Sequence, residues 1–291
     1  ELRIGAQALD NPNSITEIKR DMGSSKRINL KNEPHSPEEI SAYILKKLKE
    51  NAEESLGINI NDVVISVPAN FPDAARQATI DAGEIAGLNV LRIINEPTAA
   101  ALAFGIEELE AQEQILVFDW GGGTLDITAL EMFNGILDVQ ASDGDDKLGG
   151  KDFDQALVDL ILDKFKTEHP EAKINDRAKK ELKKKAEEAK KDLSTGEYTD
   201  IQLRSFAIEE GMPVDLDIEI SRAEFEKAIS PLLERAKDKI DDLLAKGKVR
   251  ESDIDRVLLV GGTTYIPAVR EMIEEVFDKE AKTNVNPDLA V

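Results

Sequence analysis

ILVFDWGGGTLDITAL, residues 115–130, is two strand-like runs joined by three consecutive glycines. Ile115, Leu116, Val117 and Phe118 form a short apolar, β-prone run, and Leu125, Ile127 and Ala129 alternate with more polar residues. Gly121, Gly122 and Gly123 between them can take positive φ and leave backbone N–H groups uncovered. The pattern predicts a β-hairpin with a bare-backbone tip, suited to phosphate oxygens. Asp119 closes the first strand and Asp126 lies early in the second. Carboxylates beside a phosphate cradle call for a hard cation such as Mg²⁺ between them. A tight turn flanked by two exposed acids is the plainer reading of three glycines alone. Dinucleotide-binding loops and P-loops are excluded, because both run from strand into helix. Residues 144–151, GDDKLGGK, also fail as a P-loop: the Lys is displaced and Asp152 follows where Ser or Thr belongs.

The 291 residues suffice for one large domain or two smaller ones. Hydrophobic residues make up 41% and aromatics only 4%, within the range of globular chains. With 59 acids against 37 bases the net charge is −22, which argues against nucleic acid or anionic membrane as partner. Cysteine is absent, so disulfides and thiolate chemistry are excluded and a cytoplasmic setting is expected. His35 and His169 are isolated in sequence. The longest apolar run, near residues 98–106, is too short to cross a bilayer, and no signal peptide opens the chain. Beginning at Glu1 and stopping just after Asn286-Pro287-Asp288, the chain reads as a fragment.

In chain order, residues 1–32 are mixed and turn-rich, with a short helix-like segment at Ile18-Lys19-Arg20. Ser36-Pro37-Glu38-Glu39 is a capping box with Pro at the first helical position, and Gly57 ends that helix. A strand at 63–67 ends at Pro68, a helix follows at 73–86, a strand at 91–94, and a helix from 98 to 104. Such alternation predicts a parallel sheet flanked by helices. After the central hairpin come a strand at 136–141 and a polar glycine loop at 142–150. Phe153, Leu157, Leu160, Ile161 and Phe165 mark the core face of the next helix. Residues 176–193 are thick with Lys and Glu, a solvated helix held by i,i+4 pairs. Strands at 201–203 and 216–220 precede a second capping box, Ser221 with Glu224, and a helix bent at Pro231 that closes near Gly247. A strand at 257–260 runs into Gly261-Gly262-Thr263-Thr264, and Pro267 opens the last helix.

Five motifs in this order, DWGGGTLD (119–126), INEPTAAA (94–101), LGGKDFD (148–154), VGGTT (260–264) and Asn286-Pro287-Asp288, resemble the nucleotide-binding domain of the seventy-kilodalton heat-shock chaperones. Within that family the motifs resemble the bacterial DnaK type. That resemblance spans the chain and implies an α/β actin-like ATPase (ribonuclease H-like) fold, two lobes around a nucleotide cleft. Lobe I would be residues 1–110 (an irregular 1–36 piece and strand–helix units over 37–110), without its opening strands. Lobe II would be 111–291, with a core sheet from 111–153 and 231–291 and an insert at 154–230.

The resemblance also implies roles. Gly121, Gly122, Gly123 and Thr124 match the loop holding the β- and γ-phosphates of ATP, and Gly149, Gly150, Gly261, Gly262 and Thr263 match backbone near the nucleotide. Asp119 resembles the acid holding hydrated Mg²⁺, Asp126 one near a monovalent-cation (K⁺) site. Glu96 is similar to the residue orienting the attacking water, and Lys19 to the lysine on the γ-phosphate. Phosphoryl transfer needs positioning and charge neutralisation more than covalent help, which these groups supply. Glu187, Lys190, Lys191 and Ser194, three and four apart, align with an adenosine-binding helix face, and Asp288 with a residue near the purine pocket. Pro68, Arg76 and Arg92 align with positions that relay nucleotide state toward the interdomain linker and a J-domain co-chaperone. The implied partners are that co-chaperone, a nucleotide exchange factor and a peptide-binding domain.

Three positions depart from the family pattern. Tyr265 replaces an arginine that packs on the base, Trp120 an aliphatic residue, and Asp146 a threonine near the third phosphate loop. An extra carboxylate there is expected to weaken anion binding. The family's amino-terminal phosphate hairpin would lie before Glu1. Besides a chaperone ATPase, two readings remain: a catalytically silent nucleotide-binding interaction module, and a metabolic kinase of the same superfamily.

Overall fold

Residues 4, 14–30, 32–104, 112–134 and 136–281 are described by the computed structural model. The contacts divide the chain into two compact units, Glu1–Ala99 and Ala100–Val291.

The first unit begins with a 3₁₀ turn, Ile18–Asp21, and a small antiparallel hairpin of β1 (Ile28–Leu30) and β2 (Glu33–His35). Helix α1 (Pro37–Leu56) starts where the sequence places it: Ser36 accepts from the Glu39 N–H while the Glu39 carboxylate accepts from Ser36 N–H. It stops at Gly57, whose φ of 68° is the left-handed cap glycine tolerates best. Strand β3 (Asp62–Val67), helix α2 (Asp73–Ile85) and strand β4 (Asn89–Asn95) form one parallel strand–helix–strand unit. Helix α3 (Glu96–Ala103) follows β4 directly and runs across the division between the units.

In the second unit, β5 (Glu113–Trp120), β6 (Leu125–Phe133) and β7 (Ile136–Asp145) are antiparallel neighbours. Strand β11 (Arg256–Val260) adds parallel to β5, for the order β11-β5-β6-β7. Both faces of β5 are covered. Leu116, Phe118 and Trp120 belong to the large core, while Ile115 and Val117 share a smaller one with Ala100, Ala101, Leu258 and Val260. Burial of each large side chain stabilises by about 1.5–3 kcal/mol, so β5 is the axis of this unit.

Helix α4 (Gly150–Glu168), the short β8 (Lys173–Ile174), α5 (Asp176–Leu193) and the hairpin β9 (Tyr198–Glu209) with β10 (Met212–Ser221) follow, then α6 (Arg222–Gly247) and finally α7 (Pro267–Phe277). The strands β10-β9-β8 make a separate three-stranded sheet. Pro231 lies inside α6, which runs through it as one helix.

Two expectations need correction. Strand β7 extends to Asp145, so the expected loop at 142–150 shrinks to the residues between Asp145 and Gly150. Lys246 pairs with Asp143, and Arg235 with Asp145 at 2.6 Å, so helix α6 neutralises the acids that made this segment read as loop. Second, none of Gly121, Gly122 and Gly123 takes a positive φ, so the hairpin tip does not use glycine for backbone conformation.

Candidate functional site

In the second unit three loops converge on the end of β5. Trp120 pairs with Leu125 across the hairpin, leaving residues 121–124 as its tip. Gly121 N–H donates to Thr124 O at 3.0 Å and closes the turn. A Cβ at Gly122 would meet nothing within 4 Å, and one at Gly121 only Thr124 O at 3.9 Å. Their surroundings are open, the arrangement a ligand approaching the backbone requires.

The loop before α4 lies against this tip. A Cβ at Gly149 would come within 2.5 Å of the Gly123 backbone, so glycine is obligatory there. Gly149 N–H donates to Asp152 Oδ2 at 2.8 Å, Gly150 N–H to Gly121 O at 3.0 Å, and Lys151 N–H to Gly122 O at 2.9 Å. The expected bare backbone at Gly149 and Gly150 is therefore engaged within the chain, and these glycines serve close approach instead. The third loop follows β11. Gly261 has φ 84°, and a Cβ on it would lie 2.5 Å from Trp120 O and 2.8 Å from Asp119 Oδ1. Thr263 spends its hydroxyl on Gly121 O at 2.9 Å, and Thr264 its own on Gly261 O at 2.7 Å.

Asp119 and Asp126 stand directly opposite each other in the β5–β6 register. Side chains directly opposite in an antiparallel pair lie on one face of the sheet, so the two carboxylates share a face there. Mg²⁺ keeps several waters and needs only one or two carboxylates, so the pair fits a hydrated ion. Among the described residues no cluster of three or more acid, His or Cys ligands exists, so a fully protein-caged metal has no place there.

Helix α5 reaches this region through Lys190, whose Nζ lies 3.1 Å from Gly150 O and 2.8 Å from Asp154 Oδ1. Burial pushes the Asp154 carboxyl above its ordinary range, and Lys190 opposes that without cancelling it. Asp154 closes the LGGKDFD motif, but no local pattern pairs it with Lys190, 36 positions away; only the packing of α4 on α5 brings the two together. Lys191 binds Glu187 at 2.7 Å near the surface, which holds the Glu187 carboxyl low and the Lys191 ammonium high. Ser194 donates to Lys190 O at 3.0 Å. Tyr265 is 47% exposed and Asp146 exposed. Asp288, with the motif around it, lies outside the described residues.

The first unit holds the remaining candidates. Lys19, on the 3₁₀ turn, and Glu96, the first residue of α3, are 77 positions apart and meet at 2.7 Å (Nζ to Oε1). Arg76 is half-buried rather than a plain surface residue. Its guanidinium donates to Phe71 O at 3.1 Å, Ala69 O at 3.0 Å, Pro68 O at 3.4 Å and Asn95 Oδ1 at 2.8 Å. The loop at Pro68 is thereby tied to the residue preceding Glu96. Arg92 is exposed, opposite Val64, and outside that network.

Among the described residues no helix is long and apolar enough to cross a membrane. A family model described as Hsp70 protein matches residues 7–291.

Proposed function

The chain belongs to the Hsp70 family of chaperone ATPases, with its actin-like α/β fold, and from that premise we propose that it is the ATP-binding and ATP-hydrolysing domain of a DnaK-type cytoplasmic chaperone, whose nucleotide state governs peptide binding by a separate domain. One observation carries the reading: three interlocked glycine loops surround an open backbone tip beside two opposed carboxylates.

In this reading the tip of the hairpin around Gly122, where the surroundings are open, receives the β- and γ-phosphate oxygens. Asp119 would hold hydrated Mg²⁺ and Asp126 a K⁺ ion, whose positive charge would offset that of the phosphates of bound ATP or ADP. Lys190, fixed between Gly150 O and Asp154, faces the nucleoside together with Glu187, Lys191 and Ser194. Gly262 and Tyr265 take the purine side, where a tyrosine ring stacks without adding a cation. Lys19 neutralises the γ-phosphate. Glu96, held at Oε1 by Lys19, accepts a hydrogen bond from the water that attacks phosphorus in line with the departing ADP oxygen. Pro68 and Arg76 form the path by which that state reaches a J-domain co-chaperone, Arg92 lying at the exposed surface outside their network, and an exchange factor completes the cycle. The Arg76 bond to Asn95 supports this, because it joins the Pro68 loop to the residue beside Glu96.

Single-turnover hydrolysis of ATP, measured with Mg²⁺ and K⁺, tests the assignment. Glu96→Ala and Lys19→Ala should each slow the burst by about 100-fold or more while Mg·ADP still binds. Tight ATP binding with no turnover in the unaltered chain would favour the silent module, and sugar-dependent ADP release a kinase.

A further inference from the structure

Trp120 is the only tryptophan of the chain, fully buried at the last position of β5. Its Nε1–H donates to the Leu148 carbonyl at 3.0 Å. Leu148, itself buried, immediately precedes the two glycines that lie on the hairpin tip. The indole also meets Phe118 of its own strand edge-on, at 5.6 Å and 78°, and Phe153 in the first turn of α4, at 5.1 Å and 82°. Both contacts have the edge-to-face geometry aromatic rings favour. One side chain thus spans the hairpin and the loop that packs against it.

We propose that Trp120 is a positioning residue for nucleotide binding: its indole N–H fixes the 146–150 loop against the 121–124 tip and so sets the shape of the phosphate cradle. The proposal rests on the reading of residues 121–124 as that cradle. Its physical basis is the difference between this tie and the two beside it. The bonds from Gly150 N–H to Gly121 O and from Lys151 N–H to Gly122 O are backbone to backbone, and any side chain at 120 permits them. The bond to Leu148 O needs a donor on residue 120 itself. An aliphatic side chain there would leave a buried carbonyl unpaired, the costly way to lose a hydrogen bond. Gly149 has no side-chain carbon to wedge the loops apart, and the Gly123 backbone lies only 2.5 Å from where its Cβ would sit. A small shift of Leu148 therefore moves the cradle wall directly. The tie acts on binding and not on the bond-breaking step, because the indole does not touch the open side of Gly122.

The test replaces the single tryptophan with its benzothiophene isostere, which keeps shape and stacking and lacks only the N–H, beside Trp120→Phe as a genetic counterpart. Amide exchange without nucleotide is read at Gly150 and Lys151, with Ile127 in β6 as reference, and Mg·ADP affinity is read by calorimetry. Loss of a buried bond of this kind predicts about tenfold faster exchange at the two loop amides, unchanged exchange at Ile127, and a Kd raised by a similar factor. Hydrolysis at saturating ATP should stay within about twofold, since uniform binding alone is lost. Unchanged exchange and unchanged Kd in the isostere protein would overturn the proposal. Failure of the unaltered chain to bind Mg·ADP would overturn it through the functional reading, and the exchange comparison, made without nucleotide, tells the two failures apart.

Discussion

Gly122 and Gly149 lack a side chain for opposite reasons. Around Gly122 a Cβ meets nothing and φ is not positive, so the fold does not require glycine there. Gly122→Ala should therefore leave the melting temperature unchanged or slightly higher, by the equivalent of about 0.4–1 kcal/mol, as loss of chain entropy in the unfolded state predicts. Gly122→Val should also fold, yet fill the space proposed for phosphate and raise the Kd for Mg·ADP at least about tenfold. At Gly149 the added carbon would lie 2.5 Å from Gly123 backbone, so Gly149→Ala should lower the melting temperature outright. Equal thermal losses in both variants would contradict the distinction. A second residue-scale expectation concerns Glu224. Hydrogen bonds from Lys164 and from the N–H and hydroxyl of Ser221 lower its carboxyl to about 2 from an ordinary 4.5. A depressed folded value gives stability that is present above pH 4.5 and lost as pH falls toward 2. Glu224→Gln should flatten that part of the acid unfolding curve, though only modestly, because the pair is partly exposed.

Among the elements, β7 teaches most about what sequence patterns reveal. Ser142-Asp143-Gly144-Asp145 is polar and glycine-containing, so it reads as loop, yet it continues the strand. Its cations come from α6, and Lys246 is 103 positions beyond Asp143, a distance no local pattern crosses. The capping boxes of α1 and α6 and the alternating hairpin strands, by contrast, are local chemistry and legible as such. The same division holds in the site. Glycine spacing marks the three loops, but the Asp154–Lys190 contact and the bond from Trp120 to Leu148 depend on tertiary packing. Burial alone would raise the Asp143 carboxyl, but the Lys246 bond, the Gly144 N–H and Lys239 hold it below its ordinary 3.8. Asp143→Ala should loosen α6 from β7 at a cost of about 1–3 kcal/mol at neutral pH, shrinking as acid protonates the carboxyl in the parent protein. Urea denaturation at pH 7 and at pH 3 checks both the size and the trend, and a cost independent of pH would count against an electrostatic clamp.

The two units differ in how much apolar surface they bury. The second has a continuous core that includes Trp120, Phe118, Phe153, Phe206 and Phe225. In the first, the buried set is mostly small: Ala42, Ala75, Ala78, Ala82 and Ala86, with few larger side chains. Its sheet has two parallel strands, where Val64 is 54% and Leu91 63% exposed, although parallel sheets are ordinarily covered on both faces. Heating or urea should therefore unfold residues 14–99 of this chain first, with dye-binding apolar surface present before the transition. Exchange of backbone amides in α1 and α2 ahead of β5 and β6 would bear this out, whereas one sharp transition without dye binding would refute it.

The central claim is that the backbone tip at 121–124, flanked by Asp119 and Asp126, holds the terminal phosphates of ATP. A crystal grown with Mg²⁺ and a non-hydrolysable ATP analogue tests it most directly. The account predicts β- and γ-phosphate oxygens against the open backbone around Gly122 at the tip of the 121–124 turn, with the metal beside Asp119. An intact hairpin with the analogue bound elsewhere, or not at all, would contradict it.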